Sequence, residues 1–253
     1  LDAETFYSFA LVAVDEAGNR SALSNVAGVT TKPVPPGGWE ILTIERIAGV
    51  GFYNGVAHHP QTGLPSVAYS GPNATVNWAS FDGSAWTVEL VDTGGPGVDH
   101  AYNPVTKEPA ISHGWGNLRY LARGATAWTG DTVQSGPRND ETGLVFDPSG
   151  RPSIAYTCKK KGKYSLHFAR WTGSSWDIQI VDAAHGGRWK QLTYDPAGNP
   201  AIAYSADIND DGWLNGLMLA RWDGSKWTTE VVESGATGYG VGASLAFDPI
   251  TKH

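Results

Sequence analysis

Residues 166–182 read LHFARWTGSSWDIQIVD, and the outline of this stretch returns at near-regular intervals through most of the chain. Its first half is an apolar run with an aromatic end, residues 172–174 (TGS) form a turn, and the second half is another short run. Two strand-like runs separated by a glycine-containing turn predict a β-hairpin. Similar stretches begin at Val76, Leu118 and Leu217. The four copies predict a repeat architecture.

Each hairpin is preceded by two further short runs, of which one ends before a proline and the next begins at a proline. Proline is tolerated at a strand start, where its missing N–H removes no ladder hydrogen bond. Four short strands in a repeat of roughly 45 residues are typical of one blade of a β-propeller. The first runs end at Pro60, Pro104, Pro148, Pro196 and Pro249, and the second runs begin at Pro65, Pro109, Pro152 and Pro200.

The predicted sheets are apolar on both faces, as residues 152–156 (PSIAY) and 217–222 (LMLARW) illustrate. Such a sheet must lie between two others, and packing around a common axis achieves this for every sheet. We therefore predict an all-β fold in which residues 39–253 form a partial β-propeller, with four complete four-stranded blades and the start of a fifth. Because closed rings have about four to eight blades, we also expect further sequence of the same polypeptide after His253.

Residues 1–31 differ from the repeats. Apolar and polar residues alternate from Tyr7 onward, with turn residues at 16–19, which predicts a hairpin with one buried face. The segment resembles the C-terminal strands of a fibronectin type III domain, because Leu1 and Tyr7 have the spacing of that family's tyrosine corner and AVDEAGNRSALSN matches its usual ending. The resemblance implies a fragment that packs on upstream sequence or on the following domain. Residues 32–38 (KPVPPGG) predict a stiff linker.

The hairpin turns share a motif, Asp-Gly-Ser or Thr-Gly-Ser followed by tryptophan, at residues 82–86, 172–176 and 223–227. With the GxPxIxY phrases, these turns resemble the WDGxxW-type repeats of secreted and cell-surface bacterial proteins, and they are distantly similar to the Asp-box turns of sialidase-like propellers. The tryptophan follows the Asp-Gly pair more closely here than in an Asp box. An Asx-type turn with an aromatic lid stabilises a hairpin, so we interpret the motif as a scaffold feature. The resemblance implies a secreted or cell-surface location.

Composition narrows the classes of partner. The net charge is −7 and the sequence pI about 5.4, which argues against nucleic acid or an anionic membrane surface as the main partner, since both need a basic face. The single cysteine, Cys158, cannot form an internal disulfide. No apolar run approaches the eighteen or so residues of a membrane span, so we predict no membrane insertion in this segment.

One loop interrupts the repeat pattern at residues 206–216 (ADINDDGWLNG). Alternate side-chain oxygens around a glycine are the ligand pattern that Ca²⁺ requires. The flanking helices and the acidic twelfth residue of an EF-hand are absent, so the loop resembles the hairpin-borne calcium loops of integrin-type propellers. A structural Ca²⁺ site and a plain Asn/Asp-rich turn are both open. The predicted ligands are Asp207, Asn209, Asp211, Asn215 and the carbonyl of Trp213.

The residues that break the repeat are the candidates for ligand binding. Loops from the fourth to the first strand and from the second to the third strand share one rim of a propeller, at the mouth of the central channel. Aromatic faces beside charged groups on that rim would suit a sugar, although rim loops are also polar simply because they are loops. The candidate ligand-binding residues are Tyr53, His100, His113, Trp115, Arg188 and Trp189.

Three functional classes remain open. The first is an extracellular or cell-surface binding or scaffold module that presents a propeller to a glycan or protein ligand or builds a surface assembly. The alternative is a polysaccharide-active enzyme, a lyase or glycoside hydrolase, with its pocket at the channel mouth, although no catalytic residue can be assigned. A purely structural filament or coat component is the third. Fold does not decide among them.

Overall fold

The computed structural model describes residues 6–9, 27–30, 41–51, 53–209, 212–235 and 242–248. The chain divides into two compact units, Leu1–Thr43 and Ile44–His253. In the first, strands β1 (Phe6–Phe9) and β2 (Ala27–Thr30) pair antiparallel. This pairing agrees with the predicted hairpin, while the fibronectin likeness stays a prediction. The predicted turn at residues 16–19 and the linker at 32–38 lie outside the described residues.

The second unit is a succession of four antiparallel four-stranded meanders, which we call repeats one to four. Repeats two and three share the long strand β10, whose first half pairs with β9 and whose second half pairs with β11, so that their strands form one seven-stranded sheet. Repeat one contains β3 (Asn54–His58), β4 (Pro65–Ser70), β5 (Thr75–Phe81) and β6 (Trp86–Thr93). Repeat two contains β7 (Asp99–Tyr102), β8 (Pro109–Gly114), β9 (Gly116–Arg123) and the first half of β10 (Trp128–Phe146). Repeat three contains the second half of β10, β11 (Pro152–Lys160), β12 (Lys163–Trp171) and β13 (Trp176–Asp182). Repeat four contains β14 (Gly186–Tyr194), β15 (Pro200–Ala206), β16 (Gly216–Trp222) and β17 (Trp227–Ser234).

The hairpin turns are closed by their own side chains. Asp82 Oδ1 accepts hydrogen bonds from the backbone N–H groups of Ser84 and Ala85, at 2.7 and 2.8 Å. The carboxylate of Asp223 makes the same two bonds in repeat four. These Asx turns support the scaffold interpretation of the motif.

The first strands of successive repeats lie side by side: β3 is next to β7, β7 is next to the second half of β10, and that half of β10 is next to β14. Residues 242–248 form no strand, but they continue this series, because the Leu245 N–H donates to Gln191 Oε1 of β14 at 3.0 Å. First strands that neighbour one another while the later strands lie farther out are the arrangement of propeller blades. The fold is all-β, with no α-helix in the described ranges, as predicted; the total number of blades stays a prediction.

Each outer strand begins with a tryptophan, and in repeats two to four this tryptophan packs on the preceding repeat. The indole of Trp128 contacts Trp78, that of Trp176 contacts Tyr120, and that of Trp227 contacts Phe168. The buried faces of neighbouring sheets fill the space between them with aliphatic and aromatic side chains. The core therefore consists of layers between repeats, as expected for sheets that are apolar on both faces.

A second contact recurs at the other end of the outer strands of repeats one to three. The hydroxyl of Tyr156 donates to Gln134 Oε1 at 2.6 Å, and the hydroxyl of Tyr204 donates to Asp182 Oδ2 at 2.8 Å. In repeat two a histidine takes the tyrosine's place, and in repeat one the acceptor is Glu45 in the segment before β3, 2.9 Å from the Tyr69 hydroxyl. Residues 41–51 form no strand, yet Glu45 makes the contact that an outer strand makes elsewhere.

Candidate ligand-binding site

A residue with positive φ recurs seven residues before the proline that follows the first strand in repeats two to four, and again in the segment after repeat four; at Glu141 and Trp189 it forms a bulge in the strand. Two of these four residues are glycines, and two are not. A positive φ is easy for glycine and strained for other residues, at about 1–3 kcal/mol each. The four residues and their φ angles are Gly97 (90°), Glu141 (45°), Trp189 (48°) and Gly242 (79°).

The two strained bulges face each other across the groove between repeats three and four. Glu141 Oε1 accepts hydrogen bonds from Arg188 Nε and Nη2, at 3.1 and 2.9 Å. Glu141 Oε2 accepts the backbone N–H of Trp189 at 2.9 Å. Bulges of this kind turn side chains away from the regular pleat. The strained backbone and the hydrogen bonds to Glu141 together fix the positions of Arg188 and Trp189.

The charges in this cluster are balanced internally. Burial would raise the pKa of Glu141, but Lys190, the N–H of Trp189 and the Arg188 guanidinium outweigh it and hold the pKa below its ordinary value. The Lys190 side chain is almost fully buried, and its ammonium group lies 3.8 Å from Glu141 Oε2. Burial lowers the pKa of Lys190 to about 8, against the attraction of Glu141. Glu141 is therefore an ionised anchor at neutral pH.

A cavity of about 360 Å³ opens beside this cluster, between the β12 hairpin of repeat three and the β15–β16 loop of repeat four. Its size lies at the lower end of the range for small-ligand sites. The Arg188 guanidinium carbon lies 5.7 Å from the Tyr164 ring centre and 5.6 Å from that of Trp189, close enough for cation–π attraction. The lining residues include Lys163, Tyr164, His185, Arg188, Asp207 and Leu214. Aromatic, cationic and carboxylate groups thus converge on one concave site.

A second cavity of about 460 Å³ lies along the first strands and adjoins the first through the repeat-four bulge. Every repeat contributes residues to it, and Ala243 extends the series beyond repeat four. Tyr53 and Trp189, two of the residues predicted from the sequence, line this axial cavity together. Trp189 is 39% exposed and Arg188 is 36% exposed in its side chain, so both are accessible from solvent.

The two predicted histidines are buried between sheets, although His100 also lines the axial cavity. His100 is buried between repeats one and two, where its Nε2 lies 3.4 Å from the donor Trp78 Nε1. His113 is also buried, and its Nε2 lies 3.2 Å from Asp92 Oδ2. Both occupy layers between sheets, where they satisfy neighbouring polar groups. We therefore leave them out of the site.

Exposed tryptophans mark the loops near this region. Trp115 stands between β8 and β9 and is 45% exposed, and Trp213 in the β15–β16 loop is 67% exposed. Trp115 is packed closely on Gly95, where a side chain would meet the Trp115 Cβ at 2.3 Å. The structure therefore brings Arg188, Trp189 and Tyr53 together, and places Trp115 on a different repeat.

The predicted calcium loop is held by its own hydrogen bonds. Asp207 Oδ2 accepts the Gly212 N–H at 2.7 Å, and Asn215 Oδ1 accepts the Ile208 N–H at 2.8 Å. Asp211 lies outside the described residues, while Asn209 and Trp213 lie within them. Among the described residues no group of three or more His, Cys, Asp or Glu side chains is placed to hold a metal ion. The calcium site stays a prediction.

Solved structures with a similar fold include two lectins solved with fucosides. The chain aligns with a triple arginine-to-alanine mutant of AofleA from Arthrobotrys oligospora at a TM-score of 0.55 and 12% identity, over 73% of this chain and 58% of that one. It aligns with the SapL1 lectin in complex with α-methyl fucoside at 0.52 and 14%, over 72% and 63%. It also aligns with a mutant of Aleuria aurantia lectin in complex with α-methyl-L-fucoside at 0.50 and 13%, over 92% and 80%.

The chain thus spans about three fifths of the length of the first two of these proteins. At these identities the likeness shows the fold alone, a β-propeller-like fold shared with glycan-binding lectins. No protein-family model and no curated protein sequence matches the chain. Within the described residues, no helix has the length and apolar character needed to cross a membrane.

The sequence analysis did not assign Tyr164, His185 and Lys190 to the site; the repeat pattern places Glu141 on the same rim, but it was not among the predicted ligand-binding residues. Tyr164 belongs to a hairpin tip that reads as solvated, and Lys190 is one charged residue among several on β14. A signal for Glu141 was present, because it holds the position at which other repeats have Gly97 and Gly242. A charged residue at a position of positive φ is unusual enough to indicate a special role.

Proposed function

We propose that this chain is a carbohydrate-binding module whose ligand occupies the cavity between repeats three and four. The observation that carries the proposal is the Glu141–Arg188–Trp189 cluster, in which two strained bulges fix a cation and an exposed indole beside a concave site. Sugars bind proteins through the flat apolar side of the ring and through their hydroxyl groups. The cluster offers an aromatic surface for the first and hydrogen-bond donors for the second.

The hydrogen-bond geometry supports this assignment. A guanidinium has five N–H donors, and the contacts to Glu141 from Nε and Nη2 account for two of them. Further donors on the same group can reach a ligand hydroxyl or carboxylate. Because Glu141 holds the guanidinium in place, little side-chain freedom is lost on binding, which favours affinity.

The lectins with a similar fold were solved with fucosides, so α-methyl-L-fucoside is the first probe, followed by a broad glycan array. A propeller joined to a fibronectin-like segment would present this site on a secreted or cell-surface protein. That location, and binding to a glycan rather than to a protein, are parts of the proposal.

The test compares variants by calorimetric titration with the best glycan from the array. We expect Arg188→Ala and Trp189→Ala to weaken binding by at least about tenfold, equivalent to about 1.4 kcal/mol. The matched control is Arg221→Ala, which removes an exposed arginine of the same repeat whose partner, Glu230, lies on the outer strand. Full affinity in both site variants, or no glycan bound by the folded wild-type chain, would refute the proposal.

A further inference from the structure

In every repeat the third and fourth strands form a hairpin, as β5 and β6 do in repeat one. One cross-strand pair of residues on this hairpin occupies the same register position in all four repeats. In the first three repeats this pair receives the outer-strand tryptophan of the next repeat. The ring centres of these tryptophans lie 5.6, 5.4 and 5.2 Å from the aromatic ring on which they pack. The four cross-strand pairs are Trp78 with Glu89, Tyr120 with Asp131, Phe168 with Gln179, and Leu219 with Glu230.

In repeats one and three the second member of the pair accepts the indole N–H. Trp128 Nε1 donates to Glu89 Oε2 at 3.0 Å, and Trp227 Nε1 donates to Gln179 Oε1 at 2.9 Å. The pair therefore works as a socket: one residue supports the ring and the other satisfies its single polar atom. Buried tryptophan needs such an acceptor.

Repeat four has the same socket without an indole in it among the described residues. A cavity of about 180 Å³ is lined by Leu219, Arg221 and residues 228–230. The Glu230 side chain is 59% exposed and lies 3.5 Å from Arg221 Nη2. Leu219 lies at the base of this cavity, where the other three repeats have a larger aromatic ring. The smaller side chain leaves space above it.

This face of repeat four also carries an acceptor residue for the second kind of contact between repeats, the hydrogen bond from a tyrosine or histidine of the next repeat. Asp92, Gln134 and Asp182 each stand at one register position of an outer strand and each contacts a tyrosine or histidine of the next repeat. Glu233 stands at the same register position of β17, opposite Leu217, and is exposed.

We propose that this face of repeat four is the docking surface for a fifth repeat of the same polypeptide. Leu219 and Glu230 would receive the outer-strand tryptophan of that repeat, and Glu233 would accept a second-strand hydroxyl or imidazole. An intramolecular partner is favoured because residues 242–248 already continue the series of first strands: Leu245 is hydrogen-bonded to Gln191, and Gly242 has a positive φ, as Gly97, Glu141 and Trp189 do.

The test extends the full chain with a copy of residues 196–235 joined after Asp248, which supplies three further strands and a tryptophan at the required spacing. Hydrogen exchange of residues 216–234 is measured in the original and extended chains. We expect roughly tenfold or slower exchange in the extended chain, because these outer amides become part of a covered sheet. Leu219→Arg, or alanine at the copied tryptophan, should remove the protection, whereas Lys226→Ala in the turn should leave it.

Equal exchange in both chains, with the extended chain folded, would overturn the proposal. If the extended chain does not fold, the original chain still provides a test. Gln179→Ala should lower Tm because it leaves the buried Trp227 indole N–H unpaired, whereas Glu230→Ala should leave Tm unchanged. An equal loss of Tm in the two variants would show that the face is already covered. A concentration-dependent dimer split by Leu219→Arg would assign the face to a second copy and also overturn the proposal.

Discussion

The carboxylate of Asp99 accepts the backbone N–H of Leu144 at 2.6 Å and so joins the first strands of repeats two and three. Gln191 makes the same contact with the segment that follows repeat four. The equivalent positions in repeats one and three are Gly55 and Gly143. A side chain at Gly55 would meet Asp99 Oδ1 at 2.6 Å, whereas one at Gly143 would meet nothing closer than 3.8 Å. Close approach of the strands therefore requires glycine in repeat one only.

Two substitutions of Asp99 distinguish the contribution of its hydrogen bond to stability from the contribution of its charge. Asp99→Ala leaves the Leu144 N–H without an acceptor and should cost about 1–3 kcal/mol of the free energy of unfolding. Asp99→Asn retains an acceptor oxygen and should cost much less. Urea unfolding at pH 7 measures both. Equal losses in the two variants would show that the Leu144 contact contributes nothing.

The charge of Asp99 predicts a pH dependence of opposite sign to that of most carboxylates. Burial raises the pKa of Asp99 to about 6, against the N–H groups of Leu144 and His100. The folded chain then binds more protons than the unfolded chain between about pH 4 and 6. The free energy of unfolding should fall across this range as pH rises, by up to about 3 kcal/mol and by less where water reaches the carboxylate. Asp99→Asn should remove this fall, and an unchanged pH profile in that variant would contradict the assignment.

His100 predicts the reverse slope in an overlapping range. Burial lowers the pKa of His100 to about 4. Trp78 Nε1 can only donate, so Nε2 of the imidazole must be an acceptor and the ring neutral. Because the unfolded chain binds the proton first, stability should be complete above about pH 6.5 and be lost as pH falls toward 4.

The variant His100→Gln cannot take up this proton, so the rise of stability with pH that His100 contributes between about 4 and 6.5 should be missing, and the opposite slope from Asp99 should be left uncompensated. The free energy of unfolding from urea titrations at several pH values measures the effect. Serine hydroxyl and tyrosine ring contacts from Ser66 and Tyr102 surround the same imidazole, so the comparison is made as a slope against pH rather than as an absolute stability. An identical slope in wild type and variant would show that the pKa of His100 is the same in the folded and unfolded chains.

Much of the strand pattern could be predicted from the sequence because it depends on local chemistry. The four second strands begin at the prolines that the sequence indicated, and the outer strands begin at their tryptophans. Proline and Asx turns determine the backbone conformation of adjacent residues, so they can be recognised from the sequence alone. Those positions are Pro65, Pro109, Pro152 and Pro200, and Trp86, Trp128, Trp176 and Trp227.

The candidate site was less accessible to sequence reasoning because it depends on contacts between repeats. Arg188 and Trp189 stood out as departures from the repeat, but their partner Glu141 lies 47 residues before Arg188. His113 also departs from the repeat, yet it replaces a buried tyrosine and keeps that residue's contact across the interface. A departure from a repeat therefore indicates a changed contact, and only the packing shows whether that contact faces ligand or core.

The calcium loop predicts a luminescence signal. If Asp207, Asn209, Asp211 and Asn215 hold a cation, Tb³⁺ should bind in place of Ca²⁺, and the nearby exposed Trp213 should sensitise its emission. Asp207→Asn should weaken the signal, excess Ca²⁺ should displace it, and Trp213→Phe should remove the sensitisation without removing binding. Extracellular calcium modules bind in the range of about 10⁻⁴–10⁻³ M. No Tb³⁺ emission and no calorimetric heat at millimolar Ca²⁺ would leave a plain Asn/Asp-rich turn.

One socket between repeats is imperfect, and its repair is a direct test of the packing scheme. Asp131 stands where Glu89 and Gln179 stand in the flanking repeats, but its side chain is one methylene shorter. The buried Trp176 Nε1, which packs over Tyr120, has no hydrogen-bond partner. The missing acceptor leaves an unsatisfied donor inside an otherwise regular interface.

Asp131→Glu should place a carboxylate oxygen within reach of that indole N–H. A recovered hydrogen bond is worth about 0.5–1.5 kcal/mol, and Asp131 is exposed, so the longer side chain meets little steric resistance. We expect a higher free energy of unfolding in urea with an unchanged m-value. The reverse change, Glu89→Asp, should lower stability because it withdraws the acceptor from Trp128. If Asp131→Glu proved neutral while Trp176→Phe stabilised the chain, the indole N–H would be better removed than paired, and the socket description would not hold for repeat two.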